Sequence, residues 1–210
     1  AFGMSDAKKT YHHGDLAVAL LKAAEVELSE TGIEKFSLRA VAKRAGVSHG
    51  APAHHFGDAR GLLTALAADG YKRLLAVQTA REVAAGSDPR DVLIASGLGY
   101  LDFAQANPEL FRLMFNSSIP NREDARFFDI ALAVFDHLVD RIQSVTQKNP
   151  YEDKDSMLDL MTSWSVVHGL AELLVSGRAE RPLNLASLTD VEKAAALVSI
   201  LDRANRSILV

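Results

Sequence analysis

Cysteine is absent from the 210 residues, which excludes a disulfide framework and any thiolate metal site. No apolar run approaches the roughly 20 residues a membrane span needs. The start lacks the apolar segment of a signal peptide, so the expected location is the cytoplasm, with no membrane partner. Positive charge is not in excess: 23 Lys and Arg against 27 Asp and Glu give −4, which excludes a protein coated in basic residues. Prolines number six and glycines thirteen, beside 48% hydrophobic and 24% charged residues. That balance excludes a disordered or low-complexity chain. Runs of alternating β-branched residues bounded by turns are missing too, which argues against a sheet. Ala1, Phe2 and Gly3 ahead of Met4 read as an expression remnant and take no part in the fold argument.

What is present is helical periodicity. Leu16, Leu20, Leu21, Ala24 and Leu28 recur at three-to-four spacing, predicting a first helix over 15–31 with Asp15 as N-cap and Gly32 just past its end. Ser37 opens a short helix, 38–45, that Gly46 breaks. Ser48 is the expected cap of another, 49–56, and so short a link forces the two to cross steeply. Asp58 caps a long helix over 58–84. Breaks at 87–89, 107–108, 119–121, 148–150 and 177–187 divide the rest into five more. The expectation is an all-α fold of about nine helices: an N-terminal three-helix domain containing a helix-turn-helix, 8–60, and a C-terminal helical domain, 61–210. The last two helices, near 152–176 and 187–209, are apolar on more than one face (Leu158, Leu160, Met161, Val166, Val167, Leu170, Leu173 and Leu174; Leu197, Val198, Ile200, Leu201 and Ile208). One monomer core does not need so wide a surface, and a two-fold four-helix interface would bury it.

Charge divides weakly along the chain. Up to residue 60 there are eight Lys and Arg against seven Asp and Glu, with five of the seven histidines; from Gly61 onward the count is fifteen against twenty. That is the direction expected if only the first part meets phosphate.

A helix-turn-helix needs a reader whose first turns reach base edges and a preceding helix that crosses the backbone and holds it. Phe36, Leu38, Val41, Val47, Phe56 and Leu62 supply the small core. Ser48, His49, Gly50, Ala53 and His54 remain to face DNA. The string Thr31-Gly32, Phe36-Ser37-Leu38-Arg39-Ala40-Val41-Ala42, Ala45-Gly46-Val47-Ser48, His55-Phe56 and Leu62-Leu63 resembles the DNA-binding domain of the TetR family from end to end. The resemblance implies that Arg39 and Lys43 lie near phosphates, that residues 48–54 enter the groove, and that His55-Phe56 anchor the reader. Two positions depart from it. Members carry Tyr where Ala53 stands and Lys where Ala59 stands, so Arg60, His54 and His49 are the candidates to replace those phosphate contacts. Pro52 removes a donor from the reader's first turns. Residues 8–13 form a basic arm that either contacts DNA or stays solvated. The adjacent His pairs 12–13 and 54–55 lack helical metal-site spacing, and no cofactor is expected.

Half of the fourteen aromatics fall between Tyr100 and Phe135. Tyr100, Phe103, Phe111, Phe115, Phe127 and Phe128, with Met114, Trp164 and His168, are the candidate lining of a largely apolar effector cavity; the same cluster also fits a filled core. Trp164-Ser165-Val166-Val167-His168-Gly169 puts Trp and His one turn apart, with Gly169 expected to let a neighbouring helix approach. It resembles the Trp-x-x-x-His-Gly signature of one TetR-family C-terminal domain type. In one reading His168 faces the pocket; in the other it is a hydrogen-bonded core histidine.

The expected protein is a non-enzymatic TetR-type transcriptional regulator. It would work as a homodimer with readers roughly 34 to 36 Å apart on a palindromic double-stranded DNA operator. A small apolar effector would release it by shifting helix 108–115 against helix 58–84. Two rivals remain at this point: an all-α enzyme with His168 as base, for which no nucleophile, metal or phosphate-loop constellation is found, and a ligand-independent DNA-binding factor with a filled core.

Overall fold

The structure, a computed structural model, describes residues 13–206. Lys8 to His12 of the expected basic arm, and Ile208 of the last apolar stripe, lie outside the described residues. Among those residues the chain is all-α, with ten helices and no strand: α1 (His13–Thr31), α2 (Leu38–Ala45), α3 (Ala51–Phe56), α4 (Ala59–Ala85), α5 (Pro89–Ala106), α6 (Pro108–Phe115), α7 (Ala125–Thr146), α8 (Lys154–Val175), α9 (Glu180–Leu183) and α10 (Asp190–Ala204).

Local chemistry sets the ends. The Ser37 side chain accepts the Ala40 N–H at 3.4 Å. Gly46 takes the left-handed conformation at φ 68°, so the next N–H, Val47, returns to the Ala42 carbonyl at 3.0 Å. Those two devices stop α2 where the sequence predicts. Asp58 accepts the Gly61 N–H at 2.7 Å and starts α4. Asp15, expected as an N-cap, lies inside the first turn of α1 instead. Ser48 is not the cap of the reader: α3 begins at Ala51 with Gly50 at the cap position and Pro52 in its first turn. Proline has no N–H to donate and a preset φ, so it belongs at a helix start and draws the boundary toward itself. The one-turn α9 is a further difference; Asn184, at φ 52°, ends it after four residues.

The core is continuous across the expected boundary at residue 60. Leu20 and Leu28 of α1, Val41 of α2, Leu62 and Leu74 of α4, Phe103 of α5 and Leu113 of α6 belong to one buried cluster. Helix α4 is its spine, packing against α1, α3, α5, α6 and α7. Two glycines permit close crossings. A Cβ on Gly99 of α5 would lie 2.7 Å from the Gln78 Cα, and one on Gly70 of α4 would lie 2.5 Å from the Met114 sulfur of α6. Gly169 does not play that part: among the described residues no neighbouring helix comes within 4 Å of its hypothetical Cβ. A second, smaller cluster of Leu93, Val139, Ile142 and Leu160 closes the far end.

Candidate DNA-reading surface and effector cavity

Helices α2 and α3 present one polar face. Arg39, Lys43, Ser48, His49, Gly50, Ala53 and His54 are all exposed, while His55 is half-buried and Pro52 is buried beneath them. From Phe36 to Arg60 the chain carries Arg39, Lys43, Arg44 and Arg60 against one acid, Asp58. Arg44 is held internally, donating to Glu30 at 2.5 Å and to Glu27 at 3.5 Å on α1. Arg39 and Lys43 make no ion pair or hydrogen bond among the described residues, so their charges face outward. Arg60 turns back toward the C-terminal half: its Nε donates to the Ile119 carbonyl at 2.9 Å.

The helix between reader and cavity is tied at both ends. Beside Arg60, the Asn121 N–H donates to the Thr64 hydroxyl at 2.9 Å, fixing the segment after α6 to the first turns of α4. At the other end Arg73 of α4 donates to Glu25 of α1 at 2.7 Å and to Asn107, which precedes α6, at 2.5 Å.

Behind α6 lies a cavity of about 190 Å³ between α4, α5, α7, α8 and α10. Of the aromatics expected to line it, Tyr100, Phe115 and Trp164 do so. Met114 and His168, with Phe115 and Trp164 again, line a neighbouring, more open cleft. Phe103 and Phe111 are fully buried packing residues, and Phe127 stacks edge-on against Tyr71 at 5.5 Å between centroids. Phe128, 55% exposed, lines neither space. The lining also includes Tyr71, Gln78 and Asn205, which aromatic density does not reveal. Gln78 has a sequence signal: Tyr71, Leu74, Gln78 and Glu82 follow one buried row of α4, and polar residues in such a row are where function concentrates.

Between the cavity and the cleft, the Tyr100 hydroxyl and His168 Nδ1 are 2.8 Å apart. Burial lowers the His168 pKa, with Glu172 opposing more weakly. Burial also pushes the Tyr100 hydroxyl well above its ordinary value, offset in part by the Trp164 indole. The imidazole is thereby held neutral, with one hydrogen bond joining its Nδ1 to the tyrosine hydroxyl. That arrangement is a positioned, hydrogen-bonded histidine, with Glu172 one turn further along α8 as the nearby charge acting on it. On the other side, Glu82 of α4 accepts from His137 at 2.6 Å and Arg141 at 3.1 Å, both on α7. Burial alone would raise its pKa, but the hydrogen bonds from His137 and Ser96 and the charge of Arg141 hold it below the usual carboxylate value.

An outward-facing helix-turn-helix joined through a shared helix to a cavity-bearing helical bundle defines the class: a DNA-reading protein with an internal ligand space. The comparisons identify which one. Residues 20–66 match the model of bacterial regulatory proteins of the tetR family, and residues 93–195 match the tetracyclin repressor-like C-terminal domain. The chain belongs to the TetR family. The second match contains the Trp164 to Gly169 segment. The HTH-type transcriptional regulator BetI of Stenotrophomonas maltophilia (strain R551-3) is 35% identical over 94 residues, 45% of this chain and 48% of that protein. The match thus spans about half the length of the curated relatives. A solved structure of a protein with unknown function from Rhodococcus sp. RHA1 is 27% identical with a TM-score of 0.74, over 96% of this chain and 97% of that one. The TetR family transcriptional regulator PfmR from Thermus thermophilus shares the fold, with a TM-score of 0.63 at 18% identity over 88% and 97% of the two chains.

Proposed function

We propose that this protein is a cytoplasmic, operator-binding transcriptional repressor, released by a small, largely apolar effector held in the cavity behind α6. The observation that carries this reading is the face of α2 and α3, where Arg39 and Lys43 are exposed and unpaired among the described residues, beside Ser48, His49, Gly50, Ala53 and His54. Arg39 and Lys43 are assigned to phosphates, and residues 48–54 with His55 as their anchor to the groove. Arg60 is assigned first to the junction with Ile119, and to phosphate only when that bond opens. The partner in solution is a second copy. Leu158, Met161 and Leu173 on α8, and Val191 and Val198 on α10, are exposed apolar side chains, and the open side of Gly169 lies on the same helix as the first three.

The cavity supports sensing over the ligand-independent alternative, since a factor without an effector has no need of an unfilled core. The tetR-family matches over residues 20–66 and 93–195 favour a regulator over an enzyme. Binding to the DNA immediately upstream of the coding region, across several salt concentrations, tests the reading. Tight, sequence-specific, salt-sensitive binding with a two-half-site footprint is expected. Weak binding indifferent to sequence overturns it.

A further inference from the structure

Two carbonyl oxygens among the cavity-lining residues are buried without a hydrogen-bond donor: Oε1 of Gln78 and Oδ1 of Asn205. The residues are only 8% and 3% exposed. The orientation of Gln78 is set by its partner. Its Nε2 lies 3.4 Å from the Ser96 carbonyl oxygen and 3.2 Å from the Ser96 hydroxyl; a carbonyl only accepts, so the amide nitrogen must face it and the oxygen is the end left over. Gln78 belongs to α4 and Asn205 caps the end of α10, and both helices pack against α5. Gln78 is bonded to Ser96, and Leu201, one turn before Asn205, packs over Gly97.

Buried acceptors normally have partners, so a pair left without them on cavity-lining residues marks where a ligand's donors belong once those side chains turn toward the space. Two further observations narrow the chemistry. None of the residues lining the cavity carries a charge, so an ionised ligand would lose its hydration with nothing to replace it. The volume of about 190 Å³ is modestly larger than the roughly 150 Å³ space that accepts a benzene molecule. Phe115, Val134, Phe135, Leu138 and Trp164 supply apolar walls for such a ring.

We infer that the effector is a neutral, single-ring molecule bearing hydroxyl or N–H donors, which bind Gln78 Oε1 and Asn205 Oδ1 while the ring fills the apolar remainder. The inference rests on the effector-sensing reading above and adds the ligand's class. Such a ligand bridges α4, the spine of the reader, to the end of α10.

Calorimetric titration of the full-length protein with toluene, phenol, catechol and benzoate tests this without any variant. Catechol is expected to bind about tenfold or more tighter than toluene, phenol between them, and benzoate weakest. Gln78→Met and Asn205→Leu should each reduce catechol affinity about tenfold and leave toluene unchanged. Toluene binding as tightly as catechol, benzoate binding best, or no probe binding at all overturns the inference. Operator binding by the same preparation separates the two readings. Intact operator binding without a donor preference sinks only the ligand class, whereas a donor preference in a protein that ignores DNA sinks only the regulator.

Discussion

Replacing Gly99 with alanine would place a methyl carbon 2.7 Å from the Cα of Gln78, 3.0 Å from its nitrogen and 3.1 Å from the Val77 carbonyl oxygen. Ordinary contacts are about 3.5 to 4.0 Å, so α4 and α5 must separate by roughly 1 Å at that level. The obstructing atoms are backbone and cannot rotate away. Overpacking of this kind costs about 1 to 3 kcal/mol, and the upper end applies because α4 is packed along its whole length. Alanine returns about 1 kcal/mol through its helix propensity. The net loss is about 2 kcal/mol, or about 4 to 8 °C in Tm for a chain of this size. Calorimetry at two protein concentrations is the assay, with Gly169→Ala as its companion. Among the described residues Gly169 has no neighbour from another helix within 4 Å, so within one chain its replacement gains about 0.5 to 1 kcal/mol. Any loss there must come from the partner copy and must deepen on dilution, whereas the Gly99 effect lies inside one chain. A Gly99→Ala protein as stable as the parent would refute the close crossing of α4 and α5.

Other outcomes follow from individual groups. Burial raises the Tyr71 pKa from 10.0 to about 12, so the unfolded chain releases this proton first. The resulting contribution is complete below pH 10 and is lost as pH rises to 12, by roughly 2 to 3 kcal/mol; urea titrations of Tyr71→Phe against the parent should differ in alkaline slope by that amount. Replacing Glu82 with alanine strands His137 and Arg141, each mostly buried, at a cost of about 3 kcal/mol. A loss below about 1 kcal/mol in chemical denaturation would mean that the two side chains find other partners. Arg39→Ala and Lys43→Ala should weaken DNA binding equally across sequences and lower the salt slope by about one each. An unchanged slope would remove that residue from the phosphate contacts.

Where caps are strong the sequence is readable to the residue. Both ends of α2 follow from Ser37 and Gly46, since one side chain and one left-handed glycine dictate them locally. The start of α3 is misplaced because two local signals compete, a serine suited to capping and a proline suited to a first turn, and the proline prevails. α9 is missed because four residues carry no period. In the cavity, side-chain type is legible and role is not. Phe111 and Phe115 lie one turn apart on α6 with centroids 4.9 Å from each other, yet only Phe115 reaches the space. The difference lies in the gap between helices, which no single helix encodes. Asn205 reads as an ordinary polar residue near a terminus, and only the folded chain buries it.

The double fastening of α6, through Asn107 and Arg73 at one end and Ile119 and Arg60 at the other, has a mechanical corollary. A rod pinned at its cap residue and tethered through the short segment 116–119 at the other end can roll or bow more readily than it can slide along its axis. Motion started behind Phe115 is therefore delivered to α4 at two stations, and through Glu25 to α1. In the proposed mechanism two such stations would turn a push into a torque on the reader, so the quantity an effector would alter is the angle at which α3 meets the groove.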